Sequence, residues 1–321
     1  MELLFKEIIK EELEELEISL LSSIGSDVDL ATEVTQYVVD SGGKRIRPVI
    51  CILVAKMLNY KGSELIKLAS SIELLHTATL IHDDVVDQSS TRRGKQSIHN
   101  KWDNAHGVLV GDFVYSKAFQ LMASFNNPEI IRILADSTNR ISEGEVLQLT
   151  FKLQNNLSEK DYFEIIDRKT AELFKASALT AATLSSCQKD EFQSLSNFST
   201  SLGINFQIKD DLLDYFGDES LTGKKIGKDF EEGKFTLPLI KALPMMSKDK
   251  RSMILDALNS NKECDFKEII RIIKNTGAVR EVEETCNLYS NKCINELQKF
   301  PKSSYREALL DIIESVNGRL S

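Results

Sequence analysis

The chain has 321 residues, 42% hydrophobic and 28% charged, with 40 Lys and Arg against 49 Asp and Glu and a formal net charge of −9. This composition is globular and not disordered, and the acidic balance argues against a general nucleic-acid binder, which carries a basic domain. Only 15 glycines and 5 prolines exclude a collagen-like or turn-rich chain.

Helical periodicity runs from end to end. Leu3, Leu4, Ile8, Leu13, Leu16 and Leu20 predict one face of an opening helix. After breaks at Ser41-Gly42-Gly43 and at Asn59 to Ser63, the same spacing recurs in Leu65, Leu68, Ala69, Ile72, Leu75 and Thr79. Asn126-Asn127-Pro128 and Gln154 to Ser158 mark further breaks, Leu195, Phe198, Leu202 and Phe206 another helical face, and Gly217 to Thr236 a longer polar stretch. There is no convincing alternation bounded by hairpin turns, no flexible linker and no self-similar repeat. The expectation is one all-α domain of about ten or more helices. The glutamate-rich N-terminus lacks the basic and apolar regions of a secretory signal. The longest apolar runs, such as Val49 to Ala55, are too short to span a bilayer. Cys51, Cys187, Cys264, Cys286 and Cys293 form no CxxC pair, which excludes a zinc ribbon and suits a reducing compartment. A cytoplasmic protein is expected.

Two carboxylate clusters stand out. In His82-Asp83-Asp84-Val85-Val86-Asp87, a helix places Asp83 and Asp87 one turn apart on one face, with Asp84 about 100° away. Like charges at that spacing repel unless a cation lies between them. Hard oxygen donors suit Mg²⁺, which binds through one or two carboxylates plus substrate phosphates. Alone, the cluster also fits a solvated helix end. Asp210-Asp211-Leu212-Leu213-Asp214 repeats the spacing, and two such clusters suggest carboxylate faces across a cavity.

Mg²⁺ held by few protein ligands implies an anionic substrate, and basic groups accompany both clusters. Lys44, Arg45 and Arg47 precede a helix, where phosphate also meets backbone N–H groups. Arg92, Arg93 and Lys95 follow the first cluster, Lys169-Thr170 lies in a helical stretch, and Lys224, Lys225, Lys228 and Lys234 follow the second. Arginine suits bidentate phosphate contacts. A nucleotide P-loop is excluded, because five residues separate Gly227 from Gly233 and Phe235 follows Lys234. No GxGxxG or GxSxG is present.

GKRIRP (44 to 48 with Gly43), LIHDDVVD, RRGK, VGDF, EGEVLQL, FQIKDDLLDY and the GK…GK region together resemble the trans-prenyl diphosphate synthase family, most closely its bacterial octaprenyl-making branch. The resemblance covers nearly the whole chain. It implies a single large helical bundle over residues 1–321 with a central cavity, the isoprenoid synthase type. The implied reaction joins isopentenyl diphosphate repeatedly to an allylic diphosphate, with farnesyl diphosphate as primer, through ionisation, condensation and proton loss. The product would be a long all-trans chain, octaprenyl, for quinone side chains. Three Mg²⁺ ions per site, a homodimer and handover of the product to membrane enzymes are further implications.

By the same resemblance, Asp83, Asp87 and Asp210 bind Mg²⁺, supported by Asp84, Asp211 and Asp214. Lys44, Arg47, His76 and Arg93 hold isopentenyl diphosphate. Arg92, Lys169 and Lys234 hold the allylic diphosphate, with Lys224, chosen over Lys225. Thr170 and Gln207 line the reacting region and support the carbocation. His82 directly precedes the aspartate pair, and its position alone suggests a supporting role there. Gln148 stands where short-chain relatives often place aspartate. Ala78 and Thr79 are small where short-chain relatives often carry an aromatic floor, so a tunnel is expected to continue down the helix. Met122, ahead of Phe119 and Phe125, is the first choice for a deeper floor. An all-α metal phosphohydrolase with an H…HD…D set would leave the second cluster and RRGK without a role. A terpene cyclase would not need Lys44, Arg47 and Arg93. A different chain length, or a non-catalytic subunit of a two-part synthase, stays open.

Overall fold

The computed structural model describes residues 3–154, 157–217, 226–260 and 266–318. The all-α expectation holds: among the described residues, the only strands are Thr91–Arg92 (β1) and Lys95–Gln96 (β2). The chain divides into two compact units. The first comprises Met1–Thr138, Leu173–Ser196 and Phe300–Asp311, and the second Asn139–Glu172, Asn197–Lys299 and Ile312–Ser321.

The first unit opens with α1 (Phe5–Ile8) and α2 (Lys10–Ser23), separated at Ile9, whose φ of −123° breaks the single opening helix expected from the sequence. The break changes which residues turn inward: Phe5 and Ile9 are buried with Leu16 and Leu20, whereas Leu4 is exposed. After α3 (Asp29–Val39), α4 (Ile46–Met57) is apolar on nearly every side, and ten of its twelve residues are buried. A helix apolar all round belongs inside. Pro48 sits in its first turn, where no intrahelical N–H is lost.

Helix α5 (Leu65–Val86) carries the first aspartate cluster at its C-terminal end and packs most extensively on α7 (Asn104–Ala123). Two glycines make that packing possible. A Cβ on Gly107 would collide with Val85 Cγ2, and one on Gly111 with His82 Nε2. His82 therefore packs into α7, with Nε2 3.1 Å from the Val108 carbonyl oxygen. Between these helices, β1 and β2 pair antiparallel, Thr91 with Gln96 and Arg92 with Lys95. The two residues between them, Arg93 (φ 51°) and Gly94 (φ 77°), are both left-handed, as a type I′ hairpin requires. A ladder of two residues is too short to show as alternation in the sequence.

In the second unit, the latter part of α8 (Pro128–Gln154) precedes α9 (Glu159–Ile166) and a five-residue π-helical turn, Asp167–Ala171, that leads into α10 (Glu172–Leu184). Helix α11 (Lys189–Phe216) ends in the second aspartate cluster. Tyr162, Ile166, Ile204, Ile208, Leu212, Leu237, Val282 and Cys286 form one buried cluster, and Tyr215, Phe230, Ile254, Ile269 and Ile273 belong to another. Among the described residues, no helix is long and apolar enough to cross a membrane.

Candidate active site

In the first unit, the basic loop before α4 is fixed by Arg45. This residue has a left-handed backbone, with φ 50°. Its guanidinium donates to Glu17 at 2.8 and 3.1 Å, to Glu73 Oε1 at 2.8 Å and to the Val39 carbonyl at 3.2 Å. Glu73 is buried, and its other oxygen has no hydrogen-bond partner. Burial pushes its carboxyl pKa up, opposed by Arg45, Arg47 and Arg93. The sequence counted Arg45 among the cations facing an anionic substrate, but its guanidinium is held by Glu17 and Glu73 instead, and Glu73 itself was missed because a pair 28 positions apart leaves no local pattern.

The structure brings Arg47, His76 and Arg93 into this neighbourhood. Arg47 Nη1 donates to His76 Nε2 at 3.1 Å, and its guanidinium lies 4.7 Å from the centre of the Phe174 ring. Since arginine only donates, His76 Nε2 accepts and the ring is neutral. Burial, then Arg47, Arg93, Arg92 and Arg45, hold the His76 pKa well below 6.5. The Arg93 guanidinium lies against Gly43, where a Cβ would be 2.7 Å from Nη1. Lys44 is exposed at the same loop.

Asp83 and Asp87 are half-buried at the end of α5, and Asp84 is buried. Asp84 Oδ1 accepts from Arg92 Nε and Nη2, both at 2.7 Å, so these two residues form a pair that ties the hairpin to the aspartates. Tyr37 adds a second tie by donating its hydroxyl to the Gln96 carbonyl at 2.9 Å. Ala78 is fully buried, and the half-buried Thr79 donates only to the His76 carbonyl in its own helix, at 2.7 Å. Met122 and Phe125 are buried, while Phe119 is exposed.

In the second unit, α8 clamps the π turn. Arg140 donates to Asp167 (2.9 Å) and Glu172 (2.8 Å), and Arg168 to Glu143 (2.6 Å). Gly144 permits the close approach, since a Cβ there would be 2.8 Å from Arg168 Cβ and 2.9 Å from Lys169 N. The Lys169 ammonium is held by Glu145 at 2.7 Å and by Gln148 Oε1 at 2.9 Å. Thr170 donates to Gln207 Oε1 at 2.8 Å, and Gln207 Nε2 donates to Asp211 Oδ1 at 2.8 Å. Tyr162, which the sequence reading missed, donates to Asp211 Oδ2 at 2.6 Å.

Asp210 is half-buried near the end of α11. Asp211 is buried, and its pKa is raised well above the usual range, first by burial and then by Asp229. Asp214 is pushed up to about 7 by burial and by Asp229. Its carboxylate accepts the backbone N–H groups of Lys228 and Asp229, both at 3.1 Å, which caps the short helix α12 (Lys228–Glu231). Lys234 pairs with Glu232 at 2.7 Å and lies 3.9 Å from Asp229. Lys224 and Lys225 lie outside the described residues.

The donor set fits Mg²⁺. The aspartates are hard oxygen donors, and after burial the nearby charges of Asp229 and Asp210 add to the raised pKa values of Asp211 and Asp214, a repulsion that a bound cation would relieve. Among the described residues, no three His, Cys, Asp or Glu side chains gather to hold an ion unaided.

The comparisons with known proteins agree with these features. The polyprenyl synthetase family profile matches residues 28–274. The chain is 37% identical over 307 residues to the octaprenyl diphosphate synthase of Escherichia coli K12, covering 95% of each chain. It is 39% identical over 293 residues to an all-trans-nonaprenyl-diphosphate synthase of Rhodobacter capsulatus, covering 90% of this chain and 89% of that one. A polyprenyl synthase of Caulobacter crescentus, crystallised with calcium and isoprenyl diphosphate, superimposes with a TM-score of 0.94 at 34% identity, covering 99% and 98% of the two chains. Matches of this extent define a helical prenyltransferase. The chain belongs to the polyprenyl synthetase family.

Proposed function

We propose that this chain is a long-chain trans-polyprenyl diphosphate synthase that adds isopentenyl diphosphate repeatedly to an allylic primer, farnesyl diphosphate, and releases octaprenyl (C40) diphosphate for quinone side chains. The observation that carries the long-chain reading is end-to-end similarity to an octaprenyl and a nonaprenyl synthase. The small residues Ala78 and Thr79 on the helix of the first aspartate cluster support it.

Asp83, Asp87 and Asp210 would hold Mg²⁺, and Asp84, Asp211 and Asp214 keep their surroundings in place. When bound, the metal supplies Lewis-acid neutralisation of the allylic diphosphate. Arg92, Lys169 and Lys234, with Lys224, bind that diphosphate and stabilise the charge that grows on it as the C–O bond breaks and its electron pair leaves with the diphosphate. Lys44, Arg47, Arg93 and His76 bind isopentenyl diphosphate so that its double bond faces the allylic carbon. The Thr170 and Gln207 oxygens face the developing positive charge. The new C–C bond takes the double-bond electrons, and the C–H bond that breaks restores an alkene. Its proton passes to the released diphosphate, which the same cations retain.

We further propose a homodimer. Val108, Leu109 and Phe119 leave apolar surface exposed along α7, and a second copy would cover it. The test of the activity is incorporation of labelled isopentenyl diphosphate. Folded protein given farnesyl diphosphate and Mg²⁺ should transfer label to a lipid-extractable diphosphate, and chelation should abolish this. No incorporation would overturn the catalytic reading in favour of a non-catalytic subunit.

A further inference from the structure

We propose that Tyr162 is a positioning residue for prenyl transfer, acting through Asp211 to orient Gln207 and Thr170; this rests on the assignment of Gln207 and Thr170 to the reacting region. The three hydrogen bonds form one chain inside the second unit. Tyr162 Oη donates to Asp211 Oδ2 at 2.6 Å, Gln207 Nε2 donates to Asp211 Oδ1 at 2.8 Å, and Thr170 Oγ1 donates to Gln207 Oε1 at 2.8 Å. Tyr162 is 3% exposed and Asp211 2%, so water does not readily replace a lost partner.

The direction of the chain follows from its donors. An amide N–H only donates, and it and the tyrosine O–H are aimed at the two oxygens of Asp211. Gln207 then presents its amide oxygen to Thr170, and the one hydroxyl proton of Thr170 is committed to that oxygen. What Thr170 offers elsewhere is lone pairs. An oxygen that presents electron density and no proton suits a developing allylic cation. Tyr162 contributes by fixing the plane of Asp211. A carboxylate with one partner can rotate, whereas one gripped through both oxygens holds Gln207 in a single orientation.

The tyrosine itself is anchored away from the reacting groups. Its helix α9 begins with a capping box in which Ser158 accepts from the Asp161 N–H and Asp161 accepts from the Ser158 N–H. Its ring belongs to the cluster of Ile166, Ile204, Ile208 and Leu212. Tyr162 and Asp211 are 49 positions apart, so only the fold joins them.

The test is Tyr162→Phe, which keeps the ring and removes the hydroxyl. Steady-state kinetics with farnesyl diphosphate and labelled isopentenyl diphosphate should show kcat reduced about tenfold, with both KM values changed less than about twofold, the pattern for an interaction felt in the transition state. In a Gln207→Leu background the same change should cost less than about twofold more, because its effect runs through Gln207. Unchanged kcat with only a lower melting temperature would overturn the proposal, as would the same loss in both backgrounds. Should Tyr162→Phe fail to fold, Asp211→Asn decides: a matching kcat loss supports the chain, and wild-type kcat overturns it. An inactive wild type would overturn the prenyl-transfer reading and this proposal with it, whereas an active wild type with an unaffected Tyr162→Phe overturns the proposal alone.

Discussion

Replacing Gly144 by alanine probes how closely α8 must approach the turn that carries Lys169 and Thr170. By helix propensity alone, the change should stabilise an interior helical position by about 1 kcal/mol. The structure opposes this. The new Cβ would sit 2.8 Å from Arg168 Cβ and 2.9 Å from the Lys169 backbone nitrogen, and backbone cannot swing aside as a side-chain tip can. Overpacking of this kind costs about 1–3 kcal/mol. The net expectation is therefore a destabilisation between zero and about 2 kcal/mol. Separation of α8 from the turn also pulls Glu145 from Lys169 and Glu143 from Arg168, pairs now at 2.7 and 2.6 Å. Urea denaturation gives the stability term, and steady-state kinetics should show a raised KM for the allylic substrate with a lowered kcat. A variant stabilised by the full ~1 kcal/mol, with unchanged kinetics, would mean that the close approach imposes nothing.

Asp83→Ala and Asp210→Ala should each lower turnover by at least about 100-fold while the melting temperature stays close to that of the wild type, since each removes a proposed metal ligand and no buried packing. Retained activity with normal Mg²⁺ dependence would remove that residue from the metal site. Thr79→Phe should shorten the product, read by mass spectrometry; the lost hydroxyl bonds only to its own helix, so unchanged length would place the tunnel wall elsewhere. His76 supplies a pH test. Burial and the arginines hold its pKa well below 6.5, so the unfolded chain takes up a proton that the folded chain refuses as pH falls below about 6.5. Stability is lost in that window, by up to about 1.4 kcal/mol at pH 5.5. Urea denaturation of His76→Gln at pH 7.5 and 5.5 should show a smaller acid loss than the wild type, and an equal loss would mean that His76 protonates freely.

The sequence carried what local spacing can carry. Asp83 and Asp87, and Asp210 and Asp214, fall at helical intervals near the ends of α5 and α11, and the apolar runs of α4 and α5 declared their burial. The RRGK segment was legible as a basic loop but not as a hairpin, because its ladder is two residues long and its turn places Arg93 at positive φ. The groups that hold the site in shape were silent for a different reason. Arg45 with Glu73, Lys169 with Glu145, and Tyr162 with Asp211 are pairs across 28, 24 and 49 positions. A buried tyrosine or glutamate has no periodic signature of its partner. Their roles emerge only once helices that are distant in sequence pack together.

Growth of a long prenyl chain by repeated condensation is tested by the mass of the product formed from farnesyl diphosphate, labelled isopentenyl diphosphate and Mg²⁺ by the purified protein alone. A dominant C40 diphosphate is expected. A reaction that stops after one or two additions, or no reaction from folded protein, would contradict it.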